Sequence, residues 1–238
     1  MEKRLLLISN SRAHGQGYLD HCETEVKDFL RGVKKLAFVP YAQPGGVSLD
    51  EYTKIVRERF KLMETEVQSV HEMKNPAREL LNAEAVFIGG GNTFLLLKQL
   101  YETGILKIIR NKAAEGMPYM GTSAGANAAC PTIMTTNDMP IVYPPSFNAL
   151  NLVPFQINPH YLDPDPDSKH QGETRETRIK EFHTLNAAPV AGLREGAWLR
   201  IEGASVTLKG TTGLRLFLQG KEPVEYKPVC EMNFLLQK

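Results

Sequence analysis

Short apolar runs interleaved with longer segments of helical spacing constrain this chain more than any other feature of its sequence. The runs are Arg4–Ile8, Lys35–Pro40, Glu66–Val70, Ala85–Gly89 and Pro118–Gly121. Each has the length of a strand, and most are nearly unbroken in apolar residues, as strands covered on both faces must be. The helical segments are Tyr18–Val33, Asp50–Leu62 and Phe94–Ala114, the last read as two helices broken at Gly104. Parallel strands need crossover connections, usually helical, so this alternation predicts a parallel sheet with helices on both faces.

The pattern changes in the last third. Tyr143–Pro166 is rich in Pro and Asn and predicts long loops with one strand around Phe155–Ile157. Glu173–Leu185 reads as a helix. Val190–Leu193, Ala197–Ile201, Ser205–Leu208 and Leu214–Leu218 read as short strands separated by Gly-containing turns. They are expected to finish the same sheet as antiparallel edge strands. With no linker and no internal repeat, residues 1–238 are read as one α/β domain.

Composition removes several classes of function. With 28 Lys+Arg against 27 Asp+Glu the net charge is +1, which offers nucleic acid no basic field. Cys22, Cys130 and Cys230 form an odd set without a CxxC pair. That argues against a disulfide framework or a zinc site and for a reducing cytosol. The N-terminal apolar run Leu5–Ile8 falls short of the ~7–15 residues of a signal-peptide core. No segment approaches the ~20 apolar residues of a membrane span. The expectation is a soluble, cytoplasmic protein with no membrane partner.

The most informative stretch is Met120-Gly121-Thr122-Ser123-Ala124-Gly125-Ala126-Asn127. It matches the G-x-S-x-G nucleophile elbow and sits after a strand and before an Ala-rich helix start, where that motif belongs. A serine on so tight a turn needs small neighbours, and the helix start beneath it offers free N–H groups to a developing oxyanion. A small-residue turn that merely packs against the sheet would look the same. A second loop, Ile88-Gly89-Gly90-Gly91-Asn92-Thr93, ends the preceding strand. Its bare backbone can approach a substrate, and an N–H of Gly90 or Gly91 could join that of Ala124 as oxyanion donors. Glycine-rich strand-to-helix loops also cradle phosphates or flavins, but this one is neither G-x-G-x-x-G nor a Walker A sequence.

A serine nucleophile needs a base. Among the six histidines, His160 follows Gln156-Ile157-Asn158-Pro159, a strand end of the kind that carries catalytic loops in open α/β sheets. His170 and then His14 rank behind it, while His21, His71 and His183 read as surface or helix-end residues. The base in turn wants an acid to fix its tautomer. Asp138, in Thr136-Asn137-Asp138-Met139, and Glu195, in Arg194-Glu195-Gly196, both qualify, and both could be ordinary turn carboxylates.

These segments resemble the peptidase E (α-aspartyl dipeptidase) family of serine peptidases. The likeness runs through Leu7-Ile8-Ser9-Asn10-Ser11, the glycine loop to Phe94, the elbow, Cys130-Pro131-Thr132-Ile133, Thr135–Val142, Gln156–His160 and Gly172-Glu173-Thr174-Arg175. It covers nearly the whole chain. It implies a flavodoxin-like α/β fold akin to class I glutamine amidotransferase domains, with serine where those place cysteine. It also implies hydrolysis of Asp-Xaa dipeptides without metal or cofactor. The family's nucleophile falls on Ser123, its histidine on His160, and its acid on Asp138 or Glu195.

An aspartyl substrate calls for a cation, and Arg175 can grip a carboxylate bidentately, unless it pairs with Glu173 or Glu176 on its own helix. Asn92, beside the glycine loop, is a second substrate-binding candidate, and Asp138 could instead receive the substrate amine. The sequence leaves a homodimer open. Two stretches depart from the bacterial form of the pattern, the acidic Tyr161–Asp167 and a longer Tyr41–Asp50, and both would reshape the rim of the site. A glycine-loop nucleotide binder, an idle relative acting as an interaction module and a poly-aspartate side-chain peptidase are the competing readings.

Overall fold

A computed structural model describes residues 2–165, 167 and 172–237. The first half alternates as the apolar runs require. In chain order it comprises β1 (Arg4–Ile8), α1 (Glu23–Phe29), β2 (Lys35–Val39), α2 (Leu49–Lys61), β3 (Glu66–Ser69) and α3 (Pro76–Glu79). Then follow β4 (Ala85–Ile88), α4 (Thr93–Glu102), α5 (Ile105–Ala114), β5 (Tyr119–Thr122) and the short α6 (Ala124–Ala128). After a long loop come β6 (Gln156–Pro159), α7 (Arg175–Phe182), β7 (Val190–Leu193), β8 (Ala197–Glu202), β9 (Ser205–Gly210), β10 (Leu214–Phe217), β11 (Val224–Tyr226) and β12 (Cys230–Glu231).

The principal sheet has the order β12-β9-β8-β1-β5-β4-β2-β3. Strands β1 to β5 are mutually parallel, and β8, β9 and β12 extend the sheet antiparallel from β1. Counted from β2, the run β3-β2-β4-β5 is the 2-1-3-4 arrangement of a flavodoxin-like sheet, with β1 in the place of its fifth strand. Successive residues of each strand face opposite sides. Leu5, Leu7, Val39, Val86 and Ile88 enter one hydrophobic cluster, while Leu6, Ile8, Phe38, Ala85 and Phe87 enter another across the sheet. Both faces are therefore dry, which is why these strands carry almost no polar residue.

Helix boundaries follow local chemistry. Ser48 and Glu51 close a capping box on α2, Asn92 accepts from the Leu95 N–H at the start of α4, and Thr174 caps α7. Gly104, at φ 70°, makes the break between α4 and α5. The helix expected over Tyr18–Val33 is shorter. Leu19 adopts φ 58° and its N–H donates to Ser11 O, so regular helix begins only at Glu23.

The C-terminal strands do not all finish one sheet. Strands β6, β7, β10 and β11 form a separate four-stranded sheet in the order β11-β10-β7-β6. The chain leaves it at the turn Arg194–Gly196 and enters the principal sheet as β8. Short alternating strands fit either sheet equally well, so their sequence could not assign them. Among the described residues no helix is long and apolar enough to cross a membrane.

Candidate active site

Ser123 stands at the carboxyl end of β5 with φ 52° and ψ −110°, a conformation L-residues avoid. Its neighbours enforce it. A side chain at Gly121 would strike the Gly125 carbonyl, and one at Gly125 would strike the Ile88 carbonyl of β4. The Ser123 N–H donates to Ile8 O at 2.9 Å, which ties the turn to β1 as well. The elbow is thus clamped between adjacent strands, with its hydroxyl half-exposed above them.

His160 directly follows β6, also at positive φ (51°). Its Nε2 lies 3.0 Å from Ser123 Oγ, and its Nδ1 lies 2.6 Å from Glu195 Oε1. Glu195 occupies the turn where the chain passes from one sheet to the other. Two groups hold that turn: the Gly196 N–H donates to Asn10 Oδ1 at 2.8 Å, and Thr212 Oγ1 donates to Glu195 O at 2.6 Å. The His160 N–H donates to Ser9 Oγ (2.9 Å), whose hydroxyl donates to Leu193 O (2.8 Å). Serine, histidine and carboxylate form one continuous chain of hydrogen bonds assembled from two sheets.

The other carboxylate is placed differently. Asp138 Oδ2 accepts from the Thr93 N–H at 2.7 Å, Thr93 Oγ1 at 2.6 Å and Thr136 Oγ1 at 3.0 Å. It sits at the N-terminal end of α4, where the helix dipole favours an anion, and makes no bond to His160. Asn92 caps the same helix through Oδ1 and donates through Nδ2 to Met139 O (2.8 Å). Of the other histidines, His14 is exposed and His183 buried at the end of α7, while His71 bridges Ser69 and Asp50. His170 lies outside the described residues.

A cavity of about 420 Å³ opens beside Ser123 and His160, walled by Gly90 and Gly91 of the glycine loop. A Cβ at Gly90 would come within 3.1 Å of Ser123 Cβ, so the loop lies directly against the serine. The N–H groups of Gly91 and Ala124 meet no acceptor among the described residues, whereas that of Gly90 faces the Tyr52 hydroxyl. Arg175 lies outside this cavity, at the start of α7, and lines a separate one with Asn137. The partners that could have neutralised it are engaged elsewhere: Glu173 pairs with Arg178, and Glu176 with Lys180 and Arg215. Partial burial and the Arg178 cation hold the Arg175 guanidinium below its ordinary range, and the nearby Asp138 charge opposes them.

Residues 5–209 match the model of peptidase family S51. The chain belongs to that family. It is 52% identical over 232 residues to peptidase E of Streptomyces coelicolor, covering 98% of this chain and 94% of the relative. It is also 46% identical over 239 residues to a probable alpha-aspartyl dipeptidase of Drosophila melanogaster, covering 99% and 98% of the two chains. In shape it matches the crystal structure of a peptidase from an acI-B1 actinobacterium, with a TM-score of 0.69 at 15% identity over 98% of this chain and 97% of that one. This last likeness speaks to the fold alone.

Sequence reasoning gave no role to Ser9 and Asn10, which support the candidate site from behind. A signal was present: both are polar, both are fully buried, and they follow β1 at the carboxyl edge of the sheet, where ligand sites gather. Burial of an amide and a hydroxyl is tolerated only with partners, and here those partners are the backbones next to His160 and Glu195. Asn127, Asn137 and Asn158 were also passed over. Asn127 Nδ2 donates to Ile157 O (2.7 Å), Asn158 Nδ2 to Thr135 O (2.9 Å), and Asn137 Nδ2 to Pro159 O (2.6 Å). Together they moor the strand that delivers His160.

Proposed function

We propose that this chain is a serine dipeptidase that hydrolyses Asp-Xaa dipeptides through an acyl-enzyme on Ser123. The observation that carries this reading is the position of His160, within hydrogen-bonding distance of Ser123 on one ring nitrogen and of Glu195 on the other. In it, Ser123 Oγ attacks the peptide carbonyl while His160 Nε2 takes its proton. Glu195 holds the ring in the tautomer that leaves Nε2 free and then stabilises the imidazolium. The developing oxyanion is received by the Ala124 and Gly91 N–H groups, each such donor being worth about 3–4 kcal/mol of barrier. His160 next protonates the leaving amine, and water, activated by the same histidine, releases aspartate from Ser123.

Asp138 is assigned to substrate rather than to the triad. Three donors occupy its Oδ2, while its Oδ1 makes no bond among the described residues and suits the free α-ammonium of the substrate. Arg175, which forms no ion pair among the described residues and lies within the field of Asp138, is assigned to the aspartate side chain. Asn92 then acts as a positioning residue, fixing the Asp138 loop through Met139. Because the serine comes from one sheet and the histidine from the other, the working unit is the whole of residues 1–238 as a single domain.

The test is hydrolysis of Asp-Leu beside Glu-Leu, Ala-Leu and N-acetyl-Asp-Leu, with Ser123→Ala as control. Cleavage confined to Asp-Leu and abolished in the variant is the expected result. Failure of the folded protein to cleave Asp-Leu would overturn the reading.

A further inference from the structure

The cavity beside Ser123 carries a charge for which the mechanism above has no use. Arg12 lines it together with Tyr18, Tyr52, Val47 and Ile55, and among the described residues no carboxylate lines it. Arg12 forms no ion pair among the described residues. Its guanidinium lies 6.0 Å from the centre of the Tyr18 ring, within cation–π range. Its positive charge is felt by both tyrosines and counteracts the burial that pushes their hydroxyls up. Its backbone is fixed as well, since Asn10 Nδ2 donates to Arg12 O at 2.7 Å while Asn10 Oδ1 holds the Glu195 turn. A permanent cation in an acid-free pocket next to a nucleophile calls for an anionic ligand group.

We propose that this cavity binds the residue that leaves, and that Arg12 receives its C-terminal carboxylate. The inference rests on the dipeptidase reading. Arg175 and Asp138 do not line this cavity and are assigned to the N-terminal aspartate, which leaves the cavity beside Ser123 for the second residue. In a dipeptide the carboxylate of that residue is one Cα away from the scissile nitrogen, within the span of a cavity of this size. In a longer peptide an uncharged amide stands there instead. The apolar parts of Val47, Ile55 and the two tyrosines favour an apolar leaving residue such as leucine. Val47 and Gln43 come from the Tyr41–Asp50 stretch, and Gln43 Nε2 donates to Gly90 O at 2.9 Å. That stretch therefore does form part of the rim, on the leaving-residue side.

The experiment compares Asp-Leu with Asp-Leu amide in the unaltered protein and in Arg12→Gln and Arg12→Lys. Arg12 is exposed and makes no buried bond with its side chain, so the fold should survive, as thermal unfolding will show. The expected result is a fall in kcat/KM for Asp-Leu of about 10- to 100-fold in Arg12→Gln, carried mainly by KM, as for the loss of one charge-assisted contact. Activity on Asp-Leu amide should already be low and should not change further. Arg12→Lys should recover part of the loss on Asp-Leu. Equal losses on both substrates would place Arg12 against the aspartate side chain and overturn the proposal, as would no loss on either. If the unaltered protein cleaves no Asp dipeptide, the dipeptidase reading itself falls and takes this inference with it.

Discussion

Ser123 and Glu195 stand at the two ends of one hydrogen-bonded chain, yet the regions that present them are built in opposite ways. The serine region is contiguous: β5, the elbow and α6 follow one another, and the glycines leave the turn no other course between β4 and β1. Its residues from Ala124 to Ala128 are buried. The glutamate region is a corner between two sheets, with Glu195 itself about half exposed (51%). It is held by residues distant in sequence: Asn10 and Thr212 on the turn, Ser9 behind His160, and Asp163 paired with Arg194. A nucleophile needs one fixed position set by steric exclusion. The acid needs only to be within reach of a histidine, and a set of directed hydrogen bonds is sufficient for that.

The sharpest way to break this comparison is at the serine. Ser123→Ala should lower kcat for Asp-Leu by roughly 10⁶-fold, because the attacking atom is gone, with the melting temperature little changed. Retained turnover would show that the elbow is a packing turn. Next comes the acid. Glu195→Gln should lower kcat by roughly 10³- to 10⁴-fold through loss of the correct histidine tautomer. Asp138→Asn should instead raise KM for Asp-Leu, leave kcat within about tenfold, and cost about 1 kcal/mol of stability through the α4 terminus. If the two variants exchanged these signatures, the roles of the carboxylates would be reversed.

A smaller effect tests the support behind the histidine. Ser9→Ala removes the acceptor for the His160 N–H and should reduce kcat about tenfold with KM nearly constant, as expected of a positioning residue. Loss of stability alone, without loss of kcat, would make Ser9 merely structural. The smallest effect belongs to the clasp between the loops flanking His160 and Glu195. Arg194 donates to both oxygens of Asp163, at 2.7 and 2.6 Å, and this holds the Asp163 carboxyl below the usual carboxylate range. A group whose pKa is depressed by folding contributes stability at neutral pH, and that contribution is lost as the pH falls through its folded value. Asp163→Asn should therefore destabilise the fold slightly at pH 7, by less than about 1 kcal/mol for so exposed a pair. The gap between the two proteins should begin to close near the ordinary carboxylate value, about pH 4, and vanish only at still lower pH, where Asp163 protonates in the folded protein. A gap that widened on acidification would show that the clasp does not stabilise the fold.

Much of the molecule was legible beforehand, for reasons tied to particular residues. Strands such as Leu36–Val39 and Ala85–Ile88 are dry on both faces and had to be apolar throughout. Gly121 and Gly125 announced the elbow because no larger residue fits against the carbonyls they face, of Gly125 and Ile88 respectively. The second sheet was not legible: Val190–Leu193 and Leu214–Phe217 carry nothing that distinguishes one sheet edge from another. The choice between Asp138 and Glu195 was equally hidden, since each is a carboxylate in a polar turn and only the partners differ.

By itself, then, the sequence determined the parallel core, the serine elbow between β5 and α6, and the bare glycine loop, because each is marked by residue types a few positions apart or by burial on both faces of a strand. Only the tertiary structure decided which carboxylate meets His160, that Ser9 and Asn10 hold that meeting in place, and that Arg12 shares the cavity of the nucleophile. Those are pairings across 35 to 186 positions of chain, and hydrogen bonds at such separations depend on where two sheets come to rest against each other, which no local preference records.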